Sequence, residues 1–278
     1  MARHHHGALV GFLICWIRMP LGAEIAPISI TQQVSVSGSA LACDPLCQEF
    51  GIAPPESGQT FSLSNTNENL PPTNLSVTGQ VTDSDSFPGV FVRTASAYAD
   101  ANQSSVAFTP GDIEVELYVD DELTGNITLV EGNADAYSQY LLTFRLNGPT
   151  LVQITGSLGG GTNNPYHLPL AGSFYGEIDL SGPGTPFDQV VSSDINSSVG
   201  QVFGSSFVLD AGVYTLDAVS ELCVEGGYFL ESESVFDVSF NADFMAVPEP
   251  KRMPPVLGLL MFAGIYLFRK HQQPCLRR

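Results

Sequence analysis

Three cysteines, one histidine and many carboxylates are the residues that could do chemistry between the two ends of this 278-residue chain. Cys43-Asp44-Pro45-Leu46-Cys47 places two thiols around a turn. In an oxidising exterior, a small-loop disulfide between Cys43 and Cys47 is the expected outcome, with Cys223 as a competing partner for either. A metal site would need histidines or further cysteines close by, and His167 stands alone in this part of the chain, so no metal and no cofactor is expected. A Ser-His-Asp relay would also have to use His167, in Asn164-Pro165-Tyr166-His167-Leu168-Pro169, and nothing local marks a nucleophile elbow. Gly159-Gly160-Gly161 lacks the lysine and the following helix that a phosphate-cradling loop needs, and is expected to be a mobile connector. Asp120-Asp121-Glu122 and Asp83-Ser84-Asp85 have the donors for calcium but not the EF-hand spacing, so solvated acidic turns are the simpler expectation. A glycosidase needs two carboxylates, but 29 acidic residues offer too many pairs to single one out. No catalytic constellation emerges, and the chain is expected not to be an enzyme.

Charge narrows the partners. Residues 24–250 hold all 29 acidic residues and only two basic ones, Arg93 and Arg145, a net of −27 against −19 for the whole chain. Nucleic acid is excluded as a partner, because its binding relies on Lys and Arg neutralising phosphates. Anionic polysaccharide is repelled unless divalent cations bridge the two. The same charge favours solubility.

The elements that must position these residues are strands. Residues 113–119 alternate cleanly, with Ile113, Val115, Leu117 and Val119 on one side and Glu114 and Glu116 on the other. Further strand-like runs cover 28–36, 60–63, 74–81, 90–99, 140–146, 151–158, 174–180, 203–209, 213–219 and 236–244. Residues 126–130 are expected to pair back on 113–119 across a turn at 120–125. Gly, Pro, Asn or Asp separates the runs, and no helical period longer than two turns appears between the ends. About 230 residues suffice for one β-sandwich. The expected fold is therefore all-β, an antiparallel β-sandwich or jelly-roll-like ectodomain. Phe207-Val208-Leu209-Asp210-Ala211-Gly212-Val213-Tyr214-Thr215-Leu216 resembles the hairpin near the end of many bacterial jelly-roll surface domains.

The two ends carry the clearest signals. Residues 1–23 have Arg3, an apolar run over 7–17 and a small residue, Ala23, before Glu24. That order predicts a secretory signal peptide. Its His4-His5-His6 is read as part of the discarded amino-terminal region. At the other end come Val247-Pro248-Glu249-Pro250, an uncharged run over 256–268, and the cations Arg269, Lys270, Arg277 and Arg278. Thirteen helical residues span about 20 Å, short of the roughly 30 Å hydrocarbon core. Met253, Pro254 and Pro255 extend the segment, since prolines are tolerated in a first helical turn. Arg269 and Lys270 can snorkel and the bilayer can thin locally. A basic end directly after an apolar run is held in the cytoplasm, which places the preceding domain outside. Pro248 and Pro250 hold the link extended and without donors, a backbone that a processing enzyme can bind.

Motif, apolar helix and basic end together resemble the PEP-CTERM sorting signal of exported proteins in Gram-negative bacteria. The resemblance covers 247–278. It implies recognition by exosortase, an integral-membrane enzyme, and an association with exopolysaccharide and biofilm matrix. The expected organisation is a signal peptide at 1–23, an acidic ectodomain at 24–246 and a sorting signal at 247–278. Within the last, the motif is 247–250, the transmembrane helix about 254–268 and the basic tail 269–278. The protein would be anchored in the inner membrane by its helix before processing, then reach the cell surface or extracellular matrix. Two alternatives stay open for the ectodomain. One is a carbohydrate-binding module or secreted glycan hydrolase with Tyr166, Tyr175 and Tyr228 on one concave face; the other is a calcium-bridged adhesin.

Overall fold

Strict alternation of side chains organises the described residues into twelve strands. They are β1 (Ile25–Leu41), β2 (Gln59–Asn67), β3 (Leu75–Phe87), β4 (Phe91–Thr109), β5 (Asp112–Gly125), β6 (Glu131–Leu146), β7 (Thr150–Asn163), β8 (Ala171–Ser181), β9 (Phe187–Asp194), β10 (Val199–Leu209), β11 (Gly212–Gly227) and β12 (Glu231–Ala246). In this computed structural model the described residues are 25–42, 58–87, 91–109, 112–125, 131–164, 170–184, 187–227 and 231–247. The chain divides into two compact units, Gly22–Met245 and the pair Met1–Leu21 with Ala246–Arg278. The first carries the described strands, apart from Ala246 at the end of β12. Of the second, only Ala246 and Val247 are described, so the expected signal peptide and transmembrane helix lie outside the described residues.

The strands form two six-stranded sheets, in the orders β2-β1-β6-β11-β8-β9 and β10-β7-β12-β5-β4-β3. Every pairing with a resolved register is antiparallel. The second half of the chain is a long double strand rolled up. β5 pairs with β12, β6 with β11, β7 with β10 and β8 with β9, each pair nested inside the previous one. β1 and β2 then extend the first sheet, and β4 and β3 the second.

One face of each sheet is dry because the apolar residues recur every second position. On β1, Ile30, Val34, Val36 and Ala40 are buried while the serines between them are half-exposed. On β5, Ile113, Val115, Leu117 and Val119 face the core, as their alternation predicts. β4 presents Ala95, Ala97, Ala99 and Ala101 to the same core, a stripe that admits bulkier neighbours opposite. Aromatic clusters fill the space between the sheets. Phe144 lies 6.0 Å from Tyr214 and 5.4 Å from Phe244, and Phe174 lies 5.6 Å from Phe236. Offset or edge-on rings at these separations add to their area burial.

Several local expectations give way to this topology. Residues 120–125 are not a turn but the end of β5, which pairs with β4 and β12. Gly159, Gly160 and Gly161 are not a connector but part of β7. The segment 207–216 is not a hairpin, because β10 belongs to one sheet and β11 to the other. In each case the misplaced feature has its hydrogen-bond partner far along the chain, where local turn chemistry has no say.

Candidate functional site

The outward face of the first sheet gathers most of the polar groups with perturbed titration. Alternation on β6, β11 and β8 turns Asp135, Tyr137 and Gln139 outward, with Asp217, Glu221 and Cys223, and with Tyr175, Glu177 and Asp179. Register then decides who meets whom. Asp217 lies opposite Asp179, and Asp179 opposite Asp188. Three carboxylates thus stand in one row across adjacent strands, a repulsive arrangement in the absence of a cation. Burial first, and then neighbouring carboxylates, raise the Asp179 and Asp217 carboxyls above the ordinary range. Hydrogen bonds to the charged forms oppose this: Ser181 does so for Asp179, and Gln139 Nε2 donates to Asp217 Oδ1 at 2.9 Å.

Four residues further along, Glu221 lies opposite Tyr137 on one side and Tyr175 on the other. Tyr137 Oη donates to Gln139 Oε1 at 3.0 Å, and Tyr175 Oη donates to Glu177 Oε2. That bond to Glu177, followed by burial, pushes the Tyr175 phenol up to about 12. Cys223 is half-buried and unpaired, and lies opposite Asp135. Burial, followed by its hydrogen bond to Asp135, pushes the thiol up to about 12. These shifts all favour the protonated form. The face offers phenol and carboxyl groups for hydrogen bonding, and its thiol is held in the protonated form. Among the described side chains Arg145 is the sole cation, exposed near the end of β6. Among the described residues, no group of three His, Cys, Asp or Glu is arranged to hold a metal ion.

Most residues singled out in the sequence fall elsewhere. Pro248, Glu249, Pro250, Arg269, Lys270, Arg277, Arg278, Cys43 and Cys47 lie outside the described residues, as do Tyr166, His167 and Tyr228. Val247 is described, half-buried, directly after β12. Asp121 is fully buried within a strand, so Asp120-Asp121-Glu122 is not a solvated turn. Asp83 is also largely buried, in β3, where its Oδ2 accepts from the Ala42 amide at 2.9 Å. Tyr137 and the row of Asp179, Asp188 and Asp217 were missed by sequence reasoning. Alternation of Tyr175, Glu177 and Asp179 was visible, but the partners across the sheet were not.

The class defined so far is an antiparallel β-sandwich with an acidic, tyrosine-bearing outer face. No family model matches the chain, and no curated protein matches it. Among solved structures it is similar to the VP2 subviral particle of infectious bursal disease virus. There the identity is 12%, the match covers 90% of this chain and 74% of that one, and the TM-score is 0.15. For the Gx strain of the same virus the figures are 11%, 88%, 74% and 0.15. Likeness at these TM-scores carries no argument about this chain.

Proposed function

We propose that this chain is an exported, non-enzymatic protein of the cell surface or extracellular matrix, sorted by exosortase through Val247-Pro248-Glu249-Pro250. Its ectodomain is a jelly roll widened by two strands on each sheet, and it works among exopolysaccharide. The observation that carries the sorting role is the order at 247–278: a stiff proline motif, an uncharged run, then Arg269, Lys270, Arg277 and Arg278. The end of β12 at Ala246 supports it, since the motif begins at the next residue, where the last strand pairing has finished. The nested pairs β5·β12, β6·β11, β7·β10 and β8·β9 support the jelly-roll reading.

The test is to fuse residues 245–278 to a secreted reporter. In cells lacking exosortase the reporter stays in the membrane. In cells that have the enzyme it is released, and replacing Pro248 and Pro250 by alanine prevents the release. Free secretion in both strains would remove the basis of the proposal.

A second reading, glycan contact by the first sheet, is favoured by one observation: Tyr137 and Tyr175 flank Glu221 on adjacent strands. Tyrosine offers a face and a hydroxyl to a sugar at small entropic cost. Glycan-array binding that survives Tyr137→Ala and Tyr175→Ala together would eliminate this reading.

A further inference from the structure

We infer that β10 is a self-pairing edge, through which two copies of this chain join their second sheets about a two-fold axis at Ser205. β10 is the end strand of its sheet, and among the described residues its only strand partner is β7. The edge has none of the usual guards against pairing. Its eleven residues contain no proline and no charge, and its register with β7 runs from Val199 to Leu209 without a bulge. Val202 is 86% exposed and Val208 56%, the two most exposed large apolar residues of the described chain.

The sequence of this strand says what covers it. Val202-Phe203-Gly204-Ser205-Ser206-Phe207-Val208 reads nearly the same in both directions. Antiparallel pairing of two copies about Ser205 sets Val202 against the partner's Val208 and Phe203 against the partner's Phe207. Gly204 then meets the partner's Ser206. A two-fold contact requires this self-complementarity, and strand directions in such a pair are antiparallel by symmetry. The apolar pairs fall on both faces of the joined sheet. Phe203 and Phe207 already lie 5.9 and 6.0 Å from Phe187, closing the side of the sandwich. In the dimer these half-buried rings are covered further.

Charge selects the same flank. In a segment of net −27, β10 and its neighbour β7 carry no ionisable residue. Two copies therefore approach here with the least repulsion. The other edges differ. β9 carries Asp188 and Asp194, and β3 carries Asp83 and Asp85. β2 is uncharged, but its mirror positions set Phe61 against Asn65.

A single-strand edge is a small interface, so a covalent readout is used on the full-length chain. Ser205→Cys, treated with a mild added oxidant, should yield a dimer whose linked peptide joins position 205 of both copies, identified by mass spectrometry. Adding Val202→Asp should abolish that link while the far-ultraviolet circular dichroism stays unchanged, because Val202 is exposed. Leu63→Cys, at the mirror centre of β2 and exposed, should give no homologous link. Absence of the 205–205 peptide overturns the inference, as does a 63–63 link from Leu63→Cys of equal yield or survival of the 205–205 link in the Val202→Asp variant. None of these outcomes depends on how the chain is exported.

Discussion

Gln32 of β1 and Gln103 of β4 join the two sheets across the core, Gln32 Nε2 donating to Gln103 Oε1 at 2.9 Å. Both residues are almost fully buried. The rest of their amide capacity is spent on the surrounding backbone and on Asn67. Gln32 Oε1 accepts from Asn67 Nδ2 at 2.8 Å and from the Thr73 amide at 3.0 Å, and Gln32 Nε2 also donates to the Thr73 carbonyl at 2.8 Å. Gln103 Nε2 donates to the carbonyls of Gln33 and Gln139 at 3.1 and 2.6 Å. One polar network thus holds β1, β4, β6 and the β2–β3 connection together.

Removing one member leaves the others buried and short of partners, which costs more than the net value of a hydrogen bond. Gln103→Leu is expected to lose about 2–4 kcal/mol. Urea denaturation should show a lower midpoint with an unchanged slope. A midpoint equal to that of the parent would mean the network contributes nothing to stability.

Gly160 separates a strand from a connector. A Cβ there would stand 2.4 Å from the Val235 carbonyl oxygen and 3.1 Å from Phe236 Cα, both backbone atoms of β12. At Gly161 the nearest atom would be Ser198 Oγ, at 3.7 Å. Gly160→Ala should therefore destabilise the protein by about 1–3 kcal/mol, while Gly161→Ala is close to neutral. Thermal melts of the two variants check this, and equal melting temperatures would contradict the β7–β12 contact.

Acid should stabilise this protein. Burial, followed by the nearby Glu116, pushes Asp237 up to about 6. Asp112, Asp179 and Asp217 move in the same direction. Because these folded-state values lie above the unfolded ones, the native state binds more protons in that window, and stability falls as pH rises through it. Melting should accordingly be a few degrees higher at about pH 5 than at about pH 7.5. Asp237→Asn should flatten part of that slope. A melting temperature that rises between the two pH values would refute the assignment.

Cys223 should resist alkylation in the native state. With its thiol at about 12, the thiolate fraction at mildly alkaline pH is two to three orders of magnitude, roughly, below that of an ordinary cysteine. Iodoacetamide should label it slowly until denaturant is added. Labelling at the rate of a free thiol would show that its burial beside Asp135 is wrong.

The amino-acid sequence by itself determined the strand habit and the acidity. Alternation such as Ile113, Val115, Leu117 and Val119 states which side chains share a face, because a strand's period is two whatever it pairs with. Tertiary structure alone decided the partners. Ile25 pairs with Leu146, and Leu41 with Glu131, over separations that no local pattern encodes. The row of Asp188, Asp179 and Asp217, the pairing of Gln32 with Gln103 and the place of Gly160 in β7 all follow from those non-local choices. Register is set by burying one face of every strand at once, and that condition belongs to the two packed sheets, not to any one segment.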